Sequence, residues 1–200
     1  MKRIESVEQL EALYGDAIPG ALKKVRATIT PLYEKWIGAS RFVVLATVGE
    51  CGTDASPRGD IGPVAKVRDE KTLLIPDWRG NNRLDSLRNI VEDGRVSLMF
   101  MVPGSNNVVR VNGNALLTDD SAFTQQFNQG GKVPKSVIVV DVVDVYFQCA
   151  KALMRSRLWQ SGDCSAQVPT AGEFVKELDS EFDAQAYDAG YEEYAKDRMW

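Results

Sequence analysis

The feature that most narrows the fold is a series of short apolar, β-branched runs separated by tight turns. Arg41–Val48 (RFVVLATV) is followed by a turn at Glu50–Thr53 and a returning strand, Asp54–Arg58. Val64–Arg68 turns through Asp69–Lys71 into Thr72–Ile75. Arg95–Val102 (RVSLMFMV) and Val108–Leu117 (VVRVNGNALL) flank Pro103–Asn107, which reads as a hairpin loop. Ser136–Phe147 (SVIVVDVVDVYF) is the last long strand, and Asp141 and Asp144 turn one of its faces toward solvent. The unbroken apolar run of Arg41–Val48 predicts burial on both faces. Helices are inserted among these strands rather than alternating with them, which argues against a doubly wound sheet. The expected fold is mainly β with peripheral helices, as a closed or nearly closed antiparallel barrel.

The helices lie at the two ends of the chain and at its centre. Ser6–Gly15 predicts a helix with Ser6 and Gln9 as a capping box and Gly15 as its stop. Ala21–Ile29 reads as a second helix, and Thr30-Pro31 starts a third that runs to about Gly38. Leu22, Val25, Ile29, Leu32 and Trp36 recur at helical spacing and are assigned to the core. Asp119-Asp120-Ser121 caps a short helix, and the charged tail from Thr170 onward is helical. With no repeat and no convincing linker, residues 1–200 read as one domain. Its N-terminal helices span about 6–38 and its helical tail about 170–197. Gln129–Pro134 is the loosest stretch and reads as a loop.

Composition removes several classes of function. A chain of 200 residues buries roughly 70% of its unfolded surface, and 44% apolar content is ample for that core. The formal charge of −4 gives no global attraction for nucleic acid or an anionic membrane. The N-terminus lacks the apolar stretch of a signal peptide, and no run is long enough to span a membrane. The expected location is therefore the cytoplasm. Cys51, Cys149 and Cys164 are odd in number and form no C-x-x-C pair, against both a disulfide framework and a cysteine zinc site. Histidine is absent altogether. That excludes Ser-His-Asp and Cys-His catalysis, His-ligated metals and a proximal-His haem. No metal site is expected, and redox chemistry would have to come from a cofactor.

Three polar clusters could hold one. Leu73–Asn89 (LLIPDWRGNNRLDSLRN) reads as a strand stopped by Pro76, a polar loop, and a helix with Leu84, Leu87 and Val91 on one stripe. Asn82 is the expected N-cap. Arg79 and Arg83 flank Gly80, Asn81 and Asn82, so cations lie beside a helix N-terminus. The stretch reads either as an anion cradle or as a solvated loop. Ser56-Pro57-Arg58-Gly59-Asp60 ends a strand, and is either a donor-rich rim or a plain polar turn. Cys149–Trp159 (CAKALMRSRLW) places Lys151 and Arg155 on one helix face and adds Arg157 and Trp159. It could grip an anion between its cations or form a solvated helix end.

Taken together, SPRGD, LLIPDWRGNNRLDSLRN, the LMFMVPG…RVNG strand pair and CAKALMRSRLW resemble the pyridoxamine 5′-phosphate oxidase-like family, in its bacterial FMN-binding subgroup of uncertain substrate. The resemblance covers roughly residues 42–159. It implies an antiparallel split β-barrel that binds FMN at the interface of a homodimer. The family's phosphate-binding basic pair falls on Asn82 and Arg83, with Arg79 and Asn81 nearby. Its ring-contacting strands fall on Ser56, Pro57, Arg58 and Gly59 and on Ile75, Pro76 and Asp77. Its late basic and aromatic segment, supplied by the second subunit, falls on Lys151, Arg155, Arg157 and Trp159.

Two departures stand out. The authentic oxidase carries a C-terminal Arg-x-His motif where this chain has Arg155-Ser156-Arg157, and related members often carry His where this chain has Gln148. Neither touches the flavin site, but both argue against a vitamin B6 substrate. The resulting expectation is an FMN-dependent oxidoreductase acting on an unidentified small molecule, with Arg58 and Arg157 as candidate catalytic residues. The alternatives are a flavin-binding or sensing protein without turnover, or a haem or deazaflavin binder on the same barrel.

Overall fold

A computed structural model describes residues 1–200. Three short helices open the chain: α1 (Val7–Tyr14), α2 (Pro19–Lys23) and α3 (Pro31–Ala39). Ser6 caps α1 by accepting from the Gln9 N–H, and Gly15 ends it at φ +70°. The Gln9 side chain accepts from the Glu5 N–H, one residue short of the capping-box partner. The helix expected over Ala21–Ile29 does not form. Instead α2 stops at Lys23, and Arg26 pairs in extended form with Val145. The assigned core of this region is corrected accordingly: Ile29 and Ile37 are buried, Trp36 is half-buried, and Leu22, Val25 and Leu32 are exposed.

Seven strands follow: β1 (Phe42–Gly49), β2 (Gly52–Gly59), β3 (Lys66–Asp69), β4 (Thr72–Asp77), β5 (Arg95–Met101), β6 (Val108–Thr118) and β7 (Ser136–Gln148). They form one antiparallel sheet in the order β2-β1-β5-β6-β7-β4-β3. Its edges, β2 and β3, do not pair with each other, so the barrel is split rather than closed. Backbone bonds anchor the segments that flank the open side. Asp60 N–H donates to Arg41 O (3.0 Å), Val64 N–H to Ser40 O (2.9 Å) and Ile29 N–H to Glu70 O (2.8 Å).

The inner face carries the core, with Val43, Leu45, Leu98, Phe100, Val111, Ile138 and Val140 fully or almost fully buried. β1 alternates buried and half-buried residues, so the expected burial on both faces is corrected: Val44, Ala46 and Val48 lie on a partly exposed outer face. β7 keeps a solvent-facing side, with Asp141 and Val143 exposed. β4 runs on through Pro76 to Asp77 instead of stopping. β3 pairs with it only as far as Leu74, so Pro76 lies where one side of the strand needs no donor.

Helix α4 (Asp85–Glu92) packs against the β1–β2 hairpin. Ser86 Oγ donates to Asp54, and Asn89 Nδ2 donates to Thr47 Oγ1 (3.0 Å). Its buried residues are Ser86 and Ile90, with Leu87 packed against the core. The expected stripe of Leu84, Leu87 and Val91 is therefore wrong at both ends: Leu84 is 44% and Val91 75% exposed. A single turn, α5 (Ser121–Thr124), is capped by Asp120. Beyond β7 come α6 (Lys151–Ser156), α7 (Ala171–Leu178) and α8 (Ala184–Lys196). Thr170 and Glu173 form a reciprocal capping box at the start of α7. No helix is long and apolar enough to cross a membrane.

Candidate functional site

The split barrel brings the SPRGD strand against the end of β4. On β2, alternate residues Asp54, Ser56 and Arg58 face the half-buried side, while Ala55, Pro57 and Gly59 are exposed. Asp54 accepts from Ser86 on α4, which packs on the same β1–β2 hairpin. The residues after Ser56 reach across the split. Arg58 NH1 donates to Asp77 Oδ1, with the side chains 20% and 15% exposed. Asp60, just past the strand, accepts from Trp78 Nε1 (2.8 Å) and from Gln129 Nε2 (3.1 Å to each oxygen). These polar ties take the place of the missing β2–β3 ladder.

One donor in this group is unspent. Arg58 Nε is buried and has no hydrogen-bond partner. A buried donor left unmade costs on the order of 1–3 kcal/mol, more when it is charged. Such unsatisfied buried donors are rare in native structures and are met by water, an ion or a ligand.

The Arg79–Arg83 loop lies immediately beyond Asp77. Arg79, Gly80, Asn81, Asn82 and Arg83 are all exposed. The expected cap is corrected: Asn82 has φ +60° and stands outside the helix, and Leu84 occupies the N-cap position at φ +64° with no side-chain cap. Asn81 Oδ1 instead accepts from the Arg83 N–H (3.0 Å), which folds the loop locally. Arg83 Nε pairs with Asp85 on the first turn of α4. That pair is open to solvent and so is worth at most about 1 kcal/mol, little obstacle to an incoming anion. A leucine held left-handed at a helix start stores strain, and such strain gathers at binding loops.

The third cluster lies elsewhere on the chain. α6 follows β7, and Trp159 Nε1 donates to Ser105 O (2.7 Å) in the β5–β6 loop. Lys151, Arg155 and Arg157 are exposed, and Arg157 ends α6 at φ +51°. Arg58, Asp77 and the 79–83 loop are thus gathered within one chain, whereas Lys151–Trp159 is anchored to the β5–β6 loop. The Asp60–Trp78–Gln129 group was missed from the sequence. Asp60 and Trp78 lie inside the quoted motifs, but Gln129 sits in the loop read as the loosest stretch and carried no signal.

The fold is thus an antiparallel split barrel in which an Arg–Asp pair ties β2 to β4 across the open side, with a cationic loop next to it. The family model for pyridoxamine 5′-phosphate oxidase matches residues 29–149, and the chain belongs to that family. No curated protein matches the sequence. Among solved structures, a variant of HupZ from Group A Streptococcus is similar at a TM-score of 0.50 and 19% identity, over 60% of this chain and 99% of that one. A candidate pyridoxamine 5′-phosphate oxidase from Lactobacillus delbrueckii gives 0.48 at 19% identity, over 60% and 95%. An FMN-binding protein from Syntrophomonas wolfei gives 0.44 at 16% identity, over 71% and 92%. At these identities the HupZ likeness speaks to the fold alone, and the two lower scores carry no argument.

Proposed function

We propose that the chain binds FMN between β2 and the β4–α4 loop and acts as an FMN-dependent oxidoreductase on a small molecule. The observation that carries this reading is the buried, partnerless Nε of Arg58, held in place by Asp77. When bound, FMN would supply the hydride and electron chemistry that amino-acid side chains do not provide. Arg58 presents its free N–H to negative charge at the polar edge of the ring. Ser56 and Asp77 lie beside Arg58, whereas Pro57 and Gly59 lie on the opposite face of β2 and Ile75 and Pro76 are buried, so these four would meet the flavin through their backbone. Arg79 and Arg83 hold the phosphate, helped by Asn81, Asn82 and the positive end of α4.

The same reading makes residues 1–200 one functional unit and the protein a cytoplasmic homodimer. Lys151, Arg155, Arg157 and Trp159 then reach the flavin of the other subunit. The half-exposed apolar outer face of β1 and β5, with Phe42, Val44, Met99 and Met101, supports an interface. Light scattering should give a dimer with one FMN per chain. A monomer with full flavin stoichiometry would refute the interface site.

Calorimetry with FMN, FAD and riboflavin tests the cofactor. FMN should bind more tightly than riboflavin, and equal affinities would sink the phosphate assignment. A second reading, flavin binding without turnover, draws on the same ion pair: Asp77 offsets the charge that Arg58 would offer a reduced ring. Reoxidation of photoreduced, protein-bound flavin by candidate acceptors separates the two. Pyridoxamine 5′-phosphate should be turned over only near background. The chain has Arg155-Ser156-Arg157 and no imidazole to orient that substrate, and losing such a group costs ~10²-fold or more.

A further inference from the structure

A second cleft, of about 580 Å³, opens where the N-terminal segment crosses the ends of β6 and β7. None of the residues that line it belongs to the Arg58–Arg83 group. Its shape follows from backbone pairing. β4 covers β7 only from Ser136 to Asp141, and beyond that Arg26 takes over as the pairing partner. Arg26 N–H donates to Val145 O (2.9 Å), and Val145 N–H donates to Arg26 O (2.8 Å). Tyr33 O–H then ties α3 to this segment by donating to Lys24 O (3.1 Å), and accepts from the Phe147 N–H (3.3 Å). The walls are thus set before any ligand arrives.

The lining combines two cations with aromatic rings and contains no carboxylate. Lys24 Nζ lies 5.0 Å from the centroid of the Phe147 ring. Neither Lys24 nor Arg26 takes part in an ion pair. Trp36, half-buried on α3, also lines the cleft. A volume of this size suits a small ligand. Two cations outside any ion pair call for an acidic group, and the rings of Trp36 and Phe147 call for a flat apolar body.

We propose that the Lys24–Arg26–Trp36 cleft is a binding site for a small aromatic acid, separate from the flavin site. The acid group meets Lys24 and Arg26, while the ring lies against Phe147 and Trp36. The proposal is independent of whether FMN binds, because it uses none of the same side chains.

The test follows the indole N–H signals of the four tryptophans in ¹⁵N-labelled full-length protein. Trp36→Phe assigns the relevant signal. Titration with 2-naphthoate should move the Trp36 signal saturably. The Lys24→Met/Arg26→Met variant should weaken binding roughly tenfold or more, as should replacing the probe by the uncharged 2-naphthamide. The acid-against-amide comparison needs no variant and stands even if the double substitution impairs folding. Three results would overturn the proposal: no movement at millimolar naphthoate, equal binding of acid and amide, or movement of the Trp78 signal in place of Trp36. A Trp36 signal that responds to protein dilution and not to naphthoate would also overturn it, making the cleft an interface between copies of the chain.

Discussion

Replacing Asp77 by Asn removes a charge and keeps the shape, which isolates what the Arg58–Asp77 pair does for the barrel. The two side chains are 20% and 15% exposed, between the solvated surface pair and the fully buried one. Surface pairs contribute about 0–1 kcal/mol, and breaking a buried pair costs about 3–5. The pair spans the split between β2 and β4, which no ladder bonds close. Asparagine keeps one oxygen that can accept from Arg58, so part of the bond survives. The expected loss is about 1–2 kcal/mol for Asp77→Asn and about 2–3 for Asp77→Ala. For a chain of this length each kcal/mol lowers Tm by about 2–4 °C, so Asp77→Asn should melt ~2–8 °C below the parent. A double-mutant cycle with Arg58→Met should return a coupling of about 1–2 kcal/mol. Additivity of the two substitutions within about 0.3 kcal/mol would show that solvent screens the pair, and the account of how the split is held would fail.

Arg83→Ala should weaken FMN binding by about 1.5 kcal/mol, the low end for a charged hydrogen bond because Arg83 is 79% exposed. Circular dichroism should not change, and an unchanged affinity by calorimetry would make Arg83 a bystander. Gly113→Ala should cost about 2–3 kcal/mol in denaturant melts, because its Cβ would strike Asp141 O and Val140 Cγ1 opposite the β7 bulge. A stability equal to the parent's would mean the bulge relaxes freely. The Asp93 carboxyl is held below its ordinary range by the Arg95 side chain, then by the Arg95 backbone N–H. A depressed folded-state value stabilises above the unfolded pKa, near pH 4, and that stabilisation fades as pH falls through the lower folded value. Asp93→Asn should therefore unfold more easily than the parent near neutral pH and equally at the acid end. A gap that persists in acid would contradict the sign.

The strands were legible because β-branched runs bounded by Gly, Asn and Asp leave little choice of structure. Their burial was less so. Val44, Ala46 and Val48 are as apolar as the inward residues of β1, so composition hid the alternation that the structure shows. The N-terminal helix expected over Ala21–Ile29 failed for a non-local reason: β7 outruns β4, and Arg26 is drawn into pairing with Val145. No helical propensity within the segment could reveal a vacancy beside a strand more than a hundred residues away. Pro76 misled in a similar way, since it ends a strand only where both sides need donors, and β3 leaves it at Leu74.

The site was legible in its residue types more than in its geometry. Arginines flanking Gly-Asn-Asn marked the candidate anion loop by residue type alone, but the cap assigned to Asn82 falls on Leu84, held left-handed. The packing of Ser86 and Ile90 sets the register of α4, and that register leaves Leu84 at the cap and exposed. A residue with no capping group at that position leaves the first helical N–H groups of α4 without a side-chain acceptor. Loop strain and open donors thus arise from one packing decision, made on the far side of the helix by its contact with the β1–β2 hairpin. Ser86 ties that contact to Asp54, two alternate positions before Arg58 on the same face of β2. The strand that presents the arginine and the helix that presents the loop are therefore held by one another, and a substitution at Asp54 or Ser86 would disturb both halves of the candidate flavin site at once.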